Sequence, residues 1–153
     1  MKRKVYILSF ILLIIDIISK QLIKNLMPIN TSIIVIKNFF NITFVINTGA
    51  AFSILRGQQL FLIILGILVL GGVIYYLRKD KLNNYKVIYY SLLIGGIIGN
   101  LIDRIIYNGV IDFLDFKIFL YDAPIFNLAD TFICISVFLI IFESLRRKKW
   151  NLK

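Results

Sequence analysis

The sequence predicts an all-α membrane protein, a four-helix transmembrane bundle with a small extracytoplasmic β-sheet platform. Three observations predict it. Of 153 residues, 59% are hydrophobic and only 17% charged, and the mean hydropathy of +0.87 lies well outside the range of soluble domains. Four runs, about 5–23, 60–77, 87–107 and 124–142, are long enough to cross a hydrocarbon layer about 30 Å thick. Between the first two lies a stretch, about 24–56, with β-type patterning. One integral membrane domain, 1–153, is expected.

The first run follows Lys2, Arg3 and Lys4, as the apolar part of a cleaved leader would. Asp16 and Lys20 interrupt it and no small-residue cleavage site follows, so it reads as a permanent anchor. Asp16 and Lys20 are i and i+4 and can pair on one helical face, an arrangement that is more often structural than catalytic. Residues 24–56 contain the runs Ile33 to Ile36 and Asn41 to Ile46, closed by Asn47, Thr48 and Gly49. They predict a small sheet whose Phe39, Phe40, Phe44 and Phe52 lie against lipid or a substrate segment, with an edge open to strand addition.

The third run carries Gly96, Asn100 and Arg104 as an i, i+4, i+8 stripe, with Asp103 beside it and Gly95 and Gly99 spaced for close helix packing. Asn100 can hydrogen-bond between helices, and Arg104 can hold a carboxylate or a backbone carbonyl. The fourth run opens on Pro124, which suits a first helical turn. Asn127 then reads as a cap, whereas Asp130 lies too far into the run to need that role and is marked for function. Cys134, the single cysteine, reads as a small core residue.

Net charge is +10, which in a soluble chain would suggest nucleic acid. Here position explains it. Twelve of the eighteen basic residues fall in three segments: Lys2, Arg3 and Lys4; Arg78, Lys79, Lys81 and Lys86; and Arg146, Arg147, Lys148, Lys149 and Lys153. The positive-inside rule places both termini and the 78–86 loop in the cytoplasm, with 24–56 and 108–123 outside. Asp16 then lies ~16 Å along its helix, and every intramembrane polar cluster converges on the outer leaflet. The inner half of the bundle reads as almost purely apolar.

The absence of histidine narrows the chemistry further, excluding Ser/His and Cys/His nucleophile pairs and any imidazole metal site. Hydrolysis would fall to carboxylates and water. Asp130 is one candidate, and Asp112, Asp115 and Asp122 in the outer segment are three more, among which spacing does not choose. A Ser19/Lys20 pair fails on geometry, because adjacent helical residues point about 100° apart.

Five strings in order then carry a resemblance: Asp16-Ile-Ile-Ser-Lys20, Asn47-Thr-Gly-Ala-Ala-Phe52, Gly95-Gly-Ile-Ile-Gly-Asn-Leu-Ile-Asp-Arg104, Gly109-Val-Ile-Asp-Phe113 and Phe126-Asn-Leu-Ala-Asp130. Together they resemble bacterial lipoprotein signal peptidase, signal peptidase II, over nearly the whole chain. The resemblance implies an intramembrane aspartic endopeptidase of the bacterial cytoplasmic membrane, acting on diacylglyceryl-modified prolipoproteins just before the lipidated cysteine. It implies Asp112 and Asp130 as the catalytic pair, Asn100, Arg104 and Asn127 as their immediate partners, and Asp16, Lys20, Asn47, Gly96, Asp103 and Ala129 as supporting positions.

Two close carboxyl groups hold one proton between them, giving one base to activate water and one acid to protonate the scissile carbonyl, without a cofactor, a metal or an acyl-enzyme. The expected partners are lipid-modified precursors and membrane lipids, not nucleic acid, and the chain is expected to act as a monomer. The competing reading is a small transporter or proton-relay subunit, which would need polar groups through both leaflets. A purely structural protein would leave the paired acids unexplained.

Overall fold

A computed structural model of the chain describes residues 1–50, 54–118 and 121–150. Phe52 and Lys153 lie outside the described residues, as do the side chains of Asp122, Arg147, Lys148 and Lys149. Four helices, α1 (Lys2–Leu26), α2 (Gln59–Lys79), α3 (Asn84–Tyr107) and α4 (Leu128–Trp150), are joined by strands β1 (Ser32–Ile36), β2 (Phe40–Asn47), β3 (Val110–Ile118) and β4 (Tyr121–Asp122).

Helix α3 is the axis of the bundle, and α1, α2 and α4 each pack chiefly on it. Its glycines permit this. A Cβ on Gly99 would stand 2.5 Å from Asp16 Oδ2, and one on Gly96 would stand 2.6 Å from the carbonyl oxygen of Ala129. The side chain of Asn83 caps the first turn of α3 by accepting from the Lys86 N–H at 2.9 Å. Asn108, left-handed at φ 53°, ends it.

The other helices are apolar where protein does not cover them. In α2 only Gln59, Leu62 and Leu77 are buried, and in α1 only Val5, Ser9, Asp16 and Lys20. A helix that is apolar all round and uncovered needs a lipid solvent. All four helices are long and apolar enough to cross a membrane.

Helix α4 starts at Leu128 rather than at the expected position near 124. Pro124 belongs to the connection before it, where Phe126 bridges to Leu114 of β3, so backbone pairing with the sheet holds this segment extended.

The sheet runs in the order β1-β2-β3-β4, antiparallel throughout. Ser32–Ile36 and Phe40–Asn47 coincide with the expected runs, whereas α1 continues as helix to Leu26 inside the segment assigned to β structure. Between Ile42↔Leu114 and Val45↔Asp112 the register slips by one, placing Thr43 and Phe44 against the single residue Phe113 as a β-bulge. Phe44 does not face lipid. It is buried with Met27, Ile111 and Phe113 between the sheet and the helix ends, because the bulge region closes over that cluster.

The opposite end carries the basic residues. Lys2 Nζ donates to the Arg78 carbonyl at 2.6 Å, drawing two basic segments together. This end is not bare of polar groups: Ser9, Lys86, Ser91 and Ser136 are buried there or on the way to it. Lys86 pairs with Asp80, which also accepts from Tyr90 at 3.2 Å. Ser9 and Ser91 donate to carbonyls one turn back in their own helices, and Ser136 of α4 donates to the Tyr89 carbonyl of α3, roles that apolar sequence context hides.

Candidate active site

Below the sheet, α1 and α3 contribute a buried ion triad. Lys20 Nζ lies 2.7 Å from Asp16 Oδ2 and 3.0 Å from Asp103 Oδ2. Both carboxylates also brace backbone. Asp16 Oδ1 accepts from the Ala129 N–H at 2.9 Å, and Asp103 Oδ2 accepts from the Ile111 N–H at 3.1 Å. The triad thus ties the start of α4 and the start of β3 to the bundle, and a buried pair satisfied in this way resists disruption.

Lys20 also donates to Asn100 Oδ1 at 3.1 Å, and Asn127 Nδ2 donates to the same oxygen at 3.2 Å. With its oxygen taken by two donors, Asn100 must turn its NH2 the other way. That group donates to Asp130 Oδ1 at 2.7 Å.

Asn127 is constrained likewise. Its Oδ1 accepts from the Asp130 N–H at 2.9 Å, so its Nδ2 faces Asp112 Oδ1 at 2.7 Å. Asn47 Oδ1 accepts from the Gly49 N–H at 2.9 Å, leaving its Nδ2 to reach Asp112 Oδ2 at 3.0 Å. Three amides therefore aim donors at two carboxyl groups. Arg104 donates to the carbonyls of Asn100 and Gly49 at 3.3 and 3.2 Å, holding the segment after β2 over the site.

Asp112 and Asp130 open into one cavity of about 520 Å³. Asn47 and Arg104 line its polar side, and Ala50, Pro124, Ile125, Phe126, Ile133 and Ile135 its apolar side. Asp112 is 2% exposed. Its burial, then the charge of Asp130, push its carboxyl up to about 7, against the opposing pull of the Asn47 and Asn127 hydrogen bonds.

Each sequence-derived site residue joins this assembly. Gly96 and Ala129 act through small size, meeting backbone to backbone. Asp115 separates from the pair: it accepts from Asn41 and Thr43 at 3.2 and 2.7 Å in a polar ladder on the sheet.

Two expectations are corrected. Because α4 begins at Leu128, Asp130 stands in its first turn, and its Oδ2 accepts from the Asn127 N–H at 3.4 Å. It does take part in capping. Cys134 is exposed rather than in the core, since α4 packs through a narrow stripe and the thiol lies in the cavity wall. The strand that delivers Asp112 was not anticipated, although Asn108-Gly109 is a recognisable helix stop. Gly49 and Ala50, which contribute a backbone carbonyl and a wall, offered only the turn composition of their segment.

The family model described as signal peptidase (SPase) II matches residues 8–146. The chain belongs to the signal peptidase II family. It is similar to a lipoprotein signal peptidase of Staphylococcus epidermidis, 41% identical over 152 residues and covering 95% of this chain and 94% of that one. It is also similar to one of Bacillus pumilus, 40% identical over 144 residues and covering 92% and 91%. A solved structure described as a bacterial membrane enzyme, obtained by the in meso method at 2.3 Å resolution, superposes with a TM-score of 0.89 at 39% identity, covering 97% of this chain and 91% of that one. Membership in the signal peptidase II family makes the chain a protease of a bacterial membrane with several spans. It also displaces the transporter reading, whose rejection can no longer lean on an apolar inner half.

Proposed function

We propose that the chain is an intramembrane aspartic endopeptidase that removes signal peptides from diacylglyceryl-modified prolipoproteins, cutting before the lipidated cysteine. The observation that carries this reading is the convergence of Asp112 and Asp130 on one cavity, each receiving a 2.7 Å amide hydrogen bond from a side chain whose orientation is fixed elsewhere. The names of the relatives support the substrate class.

Asp112, buried and raised, holds the proton of the pair and acts as the acid. Asp130, in the first turn of α4 where a helix N-terminus favours negative charge, faces the Asn100 amide and acts as the base. In the reaction Asp130 takes a proton from water, the oxygen attacks the scissile carbonyl, and Asp112 donates to the carbonyl oxygen. Collapse breaks the C–N bond and expels the cysteine amine as Asp130 returns its proton to the nitrogen and one hydroxyl of the diol returns a proton to Asp112. Arg104 Nε is buried and without an acceptor among the described residues, a donor available to a substrate carbonyl. The apolar wall from Pro124 to Phe126 and Ile133 to Ile135 receives an acyl chain.

The basic segments support an orientation in which the sheet-bearing end, and the site with it, is extracytoplasmic. A signal peptide is an apolar helix whose acylated cysteine stays at that surface, so substrate and carboxyl groups meet at one depth. The test is purified protein in lipid with a diacylglyceryl precursor peptide. Asp112→Asn and Asp130→Asn should each fold and insert but lose about 10² to 10⁴ or more of the cleavage rate. Full activity in either variant rejects the reading.

A further inference from the structure

Strand β1 forms the free edge of the sheet, and all five of its residues are exposed. Four of them, Ile33 to Ile36, are large and apolar. Neighbouring strand residues point to opposite faces, so this strand is apolar on both sides, with Ile33 54% and Ile34 69% exposed. Ile33 pairs with Ile42, which packs on the core between the sheet and the helices. On that same side, one strand further out, Ile33 overhangs the bundle.

Two further observations identify what covers the strand. Along α1, Phe10, Ile14, Ile18, Leu22 and Leu26 are exposed at a spacing of four, a stripe that in a spanning helix faces lipid. The chain continues that stripe through Ile29, also exposed, into β1. At the turn that follows, Lys37 and Asn38 are exposed, and Asn38 takes the left-handed φ of 60° that the turn needs. A cation at the tip of an apolar hairpin suits anionic lipid phosphates at the headgroup level.

We infer that β1 is immersed in the headgroup and upper acyl region of the bilayer, and that lipid, not water or a second protein copy, covers its free edge. The hairpin is then a shallow membrane anchor. It sets the height of β2 and β3, which carry Asn47 and Asp112, relative to the acyl region. The inference rests on the membrane-spanning character of the bundle and is independent of the assignment of the two aspartates.

The test uses fluorescence at the strand itself. The single tryptophan, Trp150, is replaced by Phe and a reporter introduced by Ile34→Trp, with Val35→Trp in parallel in case one variant folds poorly. Full-length protein is placed in vesicles of phosphatidylcholine and phosphatidylglycerol with brominated acyl chains. Blue-shifted emission, largely quenched by the bromolipid and insensitive to aqueous iodide, is the expected result. Quenching by iodide without effect of bromine places the strand in water and overturns the inference. So does protection from both quenchers together with disulfide-linked dimers of an Ile34→Cys, Cys134→Ser variant, because the edge then belongs to a second copy.

Discussion

Asn127 and Asp130 cap each other: the Asp130 N–H donates to Asn127 Oδ1 at 2.9 Å, and the Asn127 N–H donates to Asp130 Oδ2 at 3.4 Å. This is the reciprocal arrangement of a capping box, and it locks the proposed base to the amide that serves the proposed acid.

Asn127→Ser therefore separates two roles that Asn127→Ala removes together. Serine caps nearly as well as asparagine but lacks the NH2 that reaches Asp112. The serine variant should lose only the stability carried by the Asn127 Nδ2 bonds to Asp112 and Asn100, while cleavage falls roughly ten- to hundredfold, the worth of a hydrogen bond of about 1.5–3 kcal/mol to a charged or reacting group. The alanine variant should lose about 1 kcal/mol of stability in addition. Thermal midpoints and cleavage rates measured on the same preparations decide it, and a fully active serine variant would remove the Nδ2 donor from the mechanism.

The raised Asp112 carboxyl gives activity a direction in pH. As the acid it must hold its proton; below about 7 it does, and above that value the proton leaves and the donor is lost. kcat/KM should then fall about tenfold per pH unit on the alkaline side. A profile that stays flat through neutral into alkaline pH would contradict the assignment of Asp112 as donor.

Glycine substitutions should sort by the space available. In Gly99→Ala the new methyl meets Asp16 Oδ2 at 2.5 Å, an atom held by Lys20, and the crowding should cost about 1–3 kcal/mol. Gly71 of α2 has nothing within 4 Å of the same position. Gly71→Ala should be neutral, or stabilising by up to about 1 kcal/mol through helix propensity. Unfolding in a mild detergent compares the two; equal losses would contradict the packing described for α3.

Cys134 offers a chemical probe of the cavity wall, being exposed there beside the apolar surface that leads to Asp130. A lipid-soluble maleimide should alkylate it and block cleavage, and bound lipopeptide substrate should slow the labelling. Cys134→Ser should be insensitive to the reagent. Inhibition that persists in the serine variant would place the block elsewhere.

The helices were legible because lipid imposes length and apolarity on anything that spans it, and β1 and β2 because Ile and Val cluster between turn residues. The start of α4 was not legible. Apolar composition runs unbroken through Ile125 and Phe126 into the helix, while the pairing of Phe126 with Leu114, a contact far apart in sequence, holds that stretch extended. The same hidden pairing conceals the capping role of Asp130, which stands within the first turn of the true helix. Asp112 and Asp115 are three residues apart on one strand, and only the partners each meets, Asn47 and Asn127 against Asn41 and Thr43, separate them. Cys134 was misread because a thiol suits a protein interior and a lipid-facing wall equally well.

The register of β2 on β3 makes the site sensitive to counting. Losing Ile46 would leave net charge unchanged and hydropathy nearly so, yet Asn47 would move from Val110 to stand across from Ile111 and turn to the other face of the sheet. Its amide would then leave Asp112. An integer, the number of residues between two paired positions, thus stands beside chemistry as a determinant of this enzyme. Changes of length in β2 beyond the bulge should be all-or-none in their effect, whereas changes of side chain along the outer strand should be graded.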